Sequence, residues 1–130
     1  MKVRIFDEDI GIDDKPSYVD FSFFKNHTNI ANFNIIFLDN KYSKEKIAQY
    51  YDLNEDNTIY SNNIDIFDGR FDKMFKHIKK YIKNYNKKYK KDYNTFLFIT
   101  KPFSIKIEKD IERYGFKCLN KKEGSYIYEW

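Results

Sequence analysis

The alternation of apolar and polar positions along the chain sets out most of its elements. Val3 and Ile5 alternate with charged neighbours, which predicts a first short strand. Asp7, Glu8, Asp9, Asp13 and Asp14 then gather around Gly11 and predict an acidic loop over 7–15. Residues 18–24 and 30–38 are rich in β-branched and aromatic side chains, the pattern of two strands forming a hairpin across 25–29. Ser43 is placed to cap a helix running to about Leu53, with Ile47, Tyr50 and Tyr51 inward. Residues 58–67 form a further strand, which Asn62 and Asn63 are expected to bulge.

The clearest periodicity follows. Phe71, Met74, Phe75, Ile78, Ile82, Tyr85 and Tyr89 recur at helical spacing, and nine lysines fill other positions from Lys73 to Lys91. Asp68 is the expected N-cap, with Gly69 and Arg70 in the first turn. About 20 residues at ~1.5 Å each make a rod of ~30 Å. The continuous apolar run 96–99 predicts a strand buried on both faces. Pro102 ends it, and Ser104 can cap a second helix that buries Ile107, Ile111 and Tyr114. Gly115 fits the left-handed position that stops such a helix, with Phe116 packing back on Ile111. Tyr126, Tyr128 and Trp130 alternate along a last strand. The expected architecture is one domain, 1–130, of the α/β (α+β) class, with a mixed, mostly antiparallel central sheet and about three helices.

Composition changes this picture in three places. Aromatic residues make up 20% of the chain and alanine occurs only at Ala31 and Ala48, so Phe and Tyr must fill the core. An AT-rich genome produces the same excess of Lys, Asn, Ile and Tyr, so neither lysine nor tyrosine content assigns a function. Cys118 is the single cysteine, which excludes an internal disulfide and points to a reducing, cytoplasmic compartment with the thiol buried. The start of the chain has no apolar signal region, and no run is long enough to span a bilayer, so a soluble intracellular protein without a membrane partner is expected. Charge is divided: residues 1–72 carry 14 acidic against 8 basic side chains, and residues 73–130 carry 6 against 16. Such a division can orient a partner or pair the halves of one fold.

Two local patterns carry a family resemblance. Residues 96–103 leading into 107–116 give a strand, a proline, a helix and a Gly-Phe turn; Asp68-Gly69-Arg70-Phe71 opens the long helix. Over about residues 59–130 the chain resembles the second half of the GNAT acetyltransferase superfamily. The resemblance implies acetyl-CoA as cofactor, transfer of its acetyl group to an amine, and a phosphate-cradling loop at Phe67, Gly69 and Arg70. Glycine there lets backbone amides at a helix N-terminus approach the pyrophosphate. Of the family pattern (Arg or Gln, two residues, Gly, one residue, Gly or Ala) only Gly69 is kept; Ile66 and Phe71 stand at the other places, which sets the Phe71 ring where the pyrophosphate would lie. Ile111 stands where the family has a tyrosine acid, so no catalytic acid is carried over. In this family the strands corresponding to 59–67 and 96–99 are expected to splay apart.

Two other functions compete. The charged faces suit a non-catalytic interaction or inhibitor protein of viral or mobile-element type. It would engage a protein, nucleoprotein or nucleic acid through Lys79, Lys80, Lys83 and Lys87 on the long helix. Tyr81, Tyr85 and Tyr89 would stack on bases if exposed, but their spacing places them on the apolar stripe. Asp39-Asn40-Lys41, with Asp20 upstream, resembles a metal-dependent nuclease arrangement, and the acidic loop 7–15 could hold a hard cation, although it lacks the EF-hand ligand order. His27 and His77 have no metal-ligand spacing to another His or Cys, and His77 is expected to be exposed.

Overall fold

The computed structural model describes residues 1–10, 15–37, 51–54, 56–99, 105–120 and 122–130, with the side chains of 7–10, 105 and 106 not included. The helix expected after Ser43 falls almost wholly outside these residues, as do Asp13, Asp14, Asp39-Asn40-Lys41, Pro102 and Ser104.

Among the described residues ten elements follow one another: β1 (Lys2–Ile10), β2 (Pro16–Lys25), β3 (Thr28–Phe37), β4 (Thr58–Ser61), β5 (Ile64–Ile66), α1 (Phe71–Tyr89), β6 (Thr95–Ile99), α2 (Ile105–Tyr114), β7 (Lys117–Asn120) and β8 (Ser125–Glu129). The strands form one mixed sheet in the order β1-β2-β3-β4-β6-β8-β7, with β5 also on β3. Among the described strands only β4 and β6 pair in parallel. The expected α+β class with a mostly antiparallel sheet is therefore present. β1 is longer than expected and takes Asp7, Glu8 and Asp9 into a strand, because its backbone stays paired with β2 as far as Ile10↔Pro16.

β2 and β3 meet in a two-residue turn at Asn26 and His27, both with positive φ (50° and 67°). That geometry matches the right-handed twist of the flanking strands, and asparagine tolerates it better than most residues. The Asn62-Asn63 bulge is present: both residues lie opposite Asn34, between the pairs Ile36↔Tyr60 and Phe33↔Ile64. Asn34 is 2% exposed and ties the bulge down. Its Oδ1 accepts from Ser61 Oγ at 3.0 Å and from the amides of Asn62 and Asn63 at 3.1 and 3.0 Å. Its Nδ2 donates to Tyr18 Oη at 3.0 Å and to Asn62 Oδ1. The parallel ladder ends with Ser61↔Phe98; beyond it β5 stays with β3, while β6 continues with β8 through Ile99↔Ser125.

The apolar stripe read from the sequence is the one that packs. Phe71, Met74, Phe75, Ile78, Ile82 and Tyr85 are all buried against the sheet. The core is largely aromatic: Tyr85 stacks on Phe37 at 4.0 Å, and Phe75 touches the rings of Phe71, Phe96, Phe98, Tyr114, Phe116 and Tyr128. The Tyr85 hydroxyl donates to the Pro16 carbonyl at 3.1 Å, which satisfies it inside the core. The helix starts later than expected: Arg70, not Asp68, is the N-cap, with no side-chain cap bond. Gly69 has φ +105°, which no α-helix contains, so Gly69 and Arg70 precede the first turn.

α2 ends as its Gly-Phe pair predicts. Gly115 has φ +126°; its amide donates to Glu112 O at 3.1 Å, and Phe116 N donates to Ile111 O at 3.0 Å, the two bonds of a Schellman stop. Ile111 and Phe116 both lie in the core. Cys118 differs from expectation. It is exposed, because β7 is the outermost strand of the sheet, with three of its four residues open to solvent.

Candidate functional site

The segment from β5 into α1 carries the expected cofactor residues. Phe67 is 68% exposed, and its amide and that of Asp68 both donate to Ile30 O, at 2.8 and 3.2 Å. Those two N–H groups are therefore not free to polarise a substrate carbonyl. Gly69 is required by its backbone, and a Cβ there would also meet Met74 Cε at 2.7 Å. The ladder of α1 begins with Met74 N donating to Arg70 O at 3.4 Å, so the amides of Phe71, Asp72 and Lys73 have no acceptor within the helix. Phe71 is turned into the core. Its ring is 1% exposed and packs on Phe33, Phe98, Tyr114 and Phe116, so it leaves the solvent side of the turn open.

Tertiary packing brings α2 to this turn. Arg70, Phe71, Asp72, Asp110, Arg113 and Tyr114 line an open cleft of about 400 Å³ between the start of α1 and the second half of α2. Arg70 grips Asp72 with two bonds, Nε–Oδ1 at 3.1 Å and Nη2–Oδ2 at 2.9 Å, while Arg113 Nη1 lies 3.8 Å from Asp110 Oδ1. Both guanidinium groups are exposed. Arg113 and Asp110 were not singled out in the sequence; the only signal is that Gly115 stops α2 just after Arg113, placing that arginine in a last turn. Ile111, at the place of the family's acid, is fully buried. Tyr114 is half-buried, edge-on to Phe71 and Phe75.

The lysines expected to act together are separated. Lys80, Lys83 and Lys87 are exposed, whereas Lys79 turns toward α2, with Nζ 5.3 Å from the Tyr114 ring centre and 5.5 Å from that of Tyr128. A hydrogen bond to Tyr114 holds its ammonium above the usual lysine range, against the opposing effect of partial burial. Tyr81, Tyr85 and Tyr89 all pack with the core, so they form no base-stacking platform. A second hollow, of about 530 Å³, lies at the hairpin end among Met1, Lys2, Arg4, Phe24, Lys25, Asn26 and His27. Among the described residues no group of three His, Cys, Asp or Glu side chains could hold a metal, and no helix is long and apolar enough to cross a membrane.

His77 is not exposed as expected but half-buried, edge-on to Phe23 at 5.9 Å. Desolvation lowers its pKa below the ordinary histidine value, helped by the positive charges of Lys80, Lys76 and the Met1 amino group. The unfolded chain therefore binds this proton more readily than the folded one. Its contribution to stability is present above about pH 6.5 and is lost as the pH falls through the lowered folded value. Unfolding between pH 7 and pH 5 should show this decline in the wild type and a flatter profile in His77→Gln; identical profiles would contradict it.

Comparison of the chain with protein-family models, with curated proteins and with solved structures gives no match.

Proposed function

We propose that this protein is a divergent GNAT-like protein that holds acetyl-CoA, or another ligand of the coenzyme A class, by its phosphates in the cleft between α1 and α2. The observation that carries the reading is that Arg70 and Arg113 line one cleft at an uncapped helix N-terminus. Backbone amides and the helix dipole favour an anion there, and guanidinium groups match phosphate oxygens in pairs. Asp72 occupies Arg70 in the free protein. Such an exposed pair contributes only about 0–1 kcal/mol, so a doubly charged phosphate can displace it at small cost.

The same geometry argues for binding over fast catalysis. Buried Ile111 supplies no proton to a leaving thiolate, and Ile30 O already engages the amides of Phe67 and Asp68. An amine would have to attack the thioester unaided by either, so acetyl transfer is slow. Thermal unfolding with acetyl-CoA tests the reading. At a ligand concentration near 100 Kd the protein should gain about 2.7 kcal/mol, and the paired variant Arg70→Ala/Arg113→Ala should gain almost nothing. An unchanged wild-type melting temperature at millimolar acetyl-CoA would remove the proposal.

A further inference from the structure

Five lysines of α1 serve no part of the fold. Lys73, Lys76, Lys80, Lys83 and Lys87 are all exposed, and they recur three, four, three and four residues apart. At about 100° per residue they fall within an arc of roughly 80°, centred almost opposite the buried stripe, and at ~1.5 Å per residue they form a straight row of ~21 Å. Asp72 is the only acidic residue on the helix, and Arg70 holds it. None of the five lysines makes an ion pair with any described residue. The row differs from the group expected from the sequence: Lys79 leaves it for the Tyr114 and Tyr128 rings, and Lys73 and Lys76 join it.

We propose that this row is a docking surface for the phosphate backbone of double-stranded nucleic acid, bound without regard to sequence. Three features select that occupant. One strand of a duplex carries a phosphate charge at every nucleotide, about every 3.4 Å of its axis as it winds, so a ~21 Å row laid along a strand meets several phosphates in succession. An acidic protein would need carboxylates arranged along a similar straight line, whereas the nucleic acid repeats its charges covalently. Lysines are point charges on flexible stems and read no base edges by themselves. Single strands are disfavoured because they are usually held by stacking on exposed rings, and the tyrosines of this helix are turned inward. The row lies on the opposite side of the helix from the core and needs no ligand in the α1–α2 cleft.

Fluorescence anisotropy with a labelled 20-base-pair duplex of arbitrary sequence tests the proposal. Binding at 50 mM salt should weaken on the order of 100-fold by 200 mM, the dependence of about four neutralised phosphates. Lys76→Glu/Lys80→Glu/Lys83→Glu should abolish binding while keeping the wild-type far-UV spectrum. The milder Lys73→Gln/Lys87→Gln should lower the salt slope by about two phosphates, and Lys79→Gln should leave it unchanged. Wild-type affinity in both row variants would overturn the proposal. So would tighter binding of a single strand of the same length, or of polyglutamate, than of the duplex.

Discussion

Asn34→Ala should cost about 3 kcal/mol of folding stability, a large share of the roughly 5–15 kcal/mol typical of a domain. The alanine takes away the one acceptor shared by Ser61 Oγ and the amides of Asn62 and Asn63. Ser61 is fully buried and can turn to Asn63 O, 3.3 Å away, but the two amides have no such substitute. Leaving a buried donor without an acceptor costs about 1–3 kcal/mol, and the exposure of Asn62 and Asn63 lets water recover part of it. Urea unfolding should show a lower midpoint with an unchanged slope. Asn34→Asp keeps the acceptor and should lose less than Asn34→Ala at neutral pH. A loss below 1 kcal/mol in the alanine variant would mean that Asn34 does not hold the bulge.

Phe75→Ala should cost about 4 kcal/mol, the largest effect expected of any single side chain here. The ring is fully buried and stands where α1, β6, α2 and β8 meet, edge-on to Phe96 at 5.1 Å and to Tyr114 at 5.2 Å. Neighbours that are themselves large, rigid rings cannot collapse into the space, so most of the cavity persists and its lining loses contacts. Phe75→Leu retains much of the volume and should cost about half as much. The two variants, measured by equilibrium unfolding, separate cavity size from loss of aromatic character. Equal costs would assign the effect to ring geometry.

These two residues differ in how plainly the sequence announces them. Phe75 belongs to an apolar repeat long enough to set the phase of α1, and every residue of that repeat from Phe71 to Tyr85 is buried. The Gly115-Phe116 stop is similarly local, since backbone conformation at a glycine is decided by neighbours in sequence. Asn34 is different. Its neighbours in β3 mark a strand, but burial of its amide depends on the bulge of β4 and β5 lying across from it. The extent of β1 was hidden because charged residues on an outer strand do not mark its end. That Lys79 turns away from Lys80, Lys83 and Lys87 was not legible, because its position at the edge of the stripe is decided by Tyr114 and Tyr128, on elements far along the chain. The cleft was half legible: Gly69 and Arg70 mark the turn, but only the packing of α2 on α1 brings Arg113 to the same cleft as Arg70.

The proposed phosphate site differs from the pattern behind the family resemblance. Of the family pattern only Gly69 is kept, and its positive φ explains that glycine without a ligand. Phe71 is turned into the core, and the two arginines supply charge that Ile66, at the first place of the pattern, does not. The proposed ligand recognition thus rests on side chains from two helices more than on a glycine-rich loop.

Titration of the isotope-labelled protein with coenzyme A, followed by amide NMR, tests that claim most directly. Saturable shifts confined to Gly69, Phe71, Asp72, Lys73 and the Arg113 end of α2, and lost in Arg70→Ala/Arg113→Ala, are the predicted result. No shifts at millimolar ligand, or shifts along Lys76–Lys87 instead of at the helix start, would contradict it.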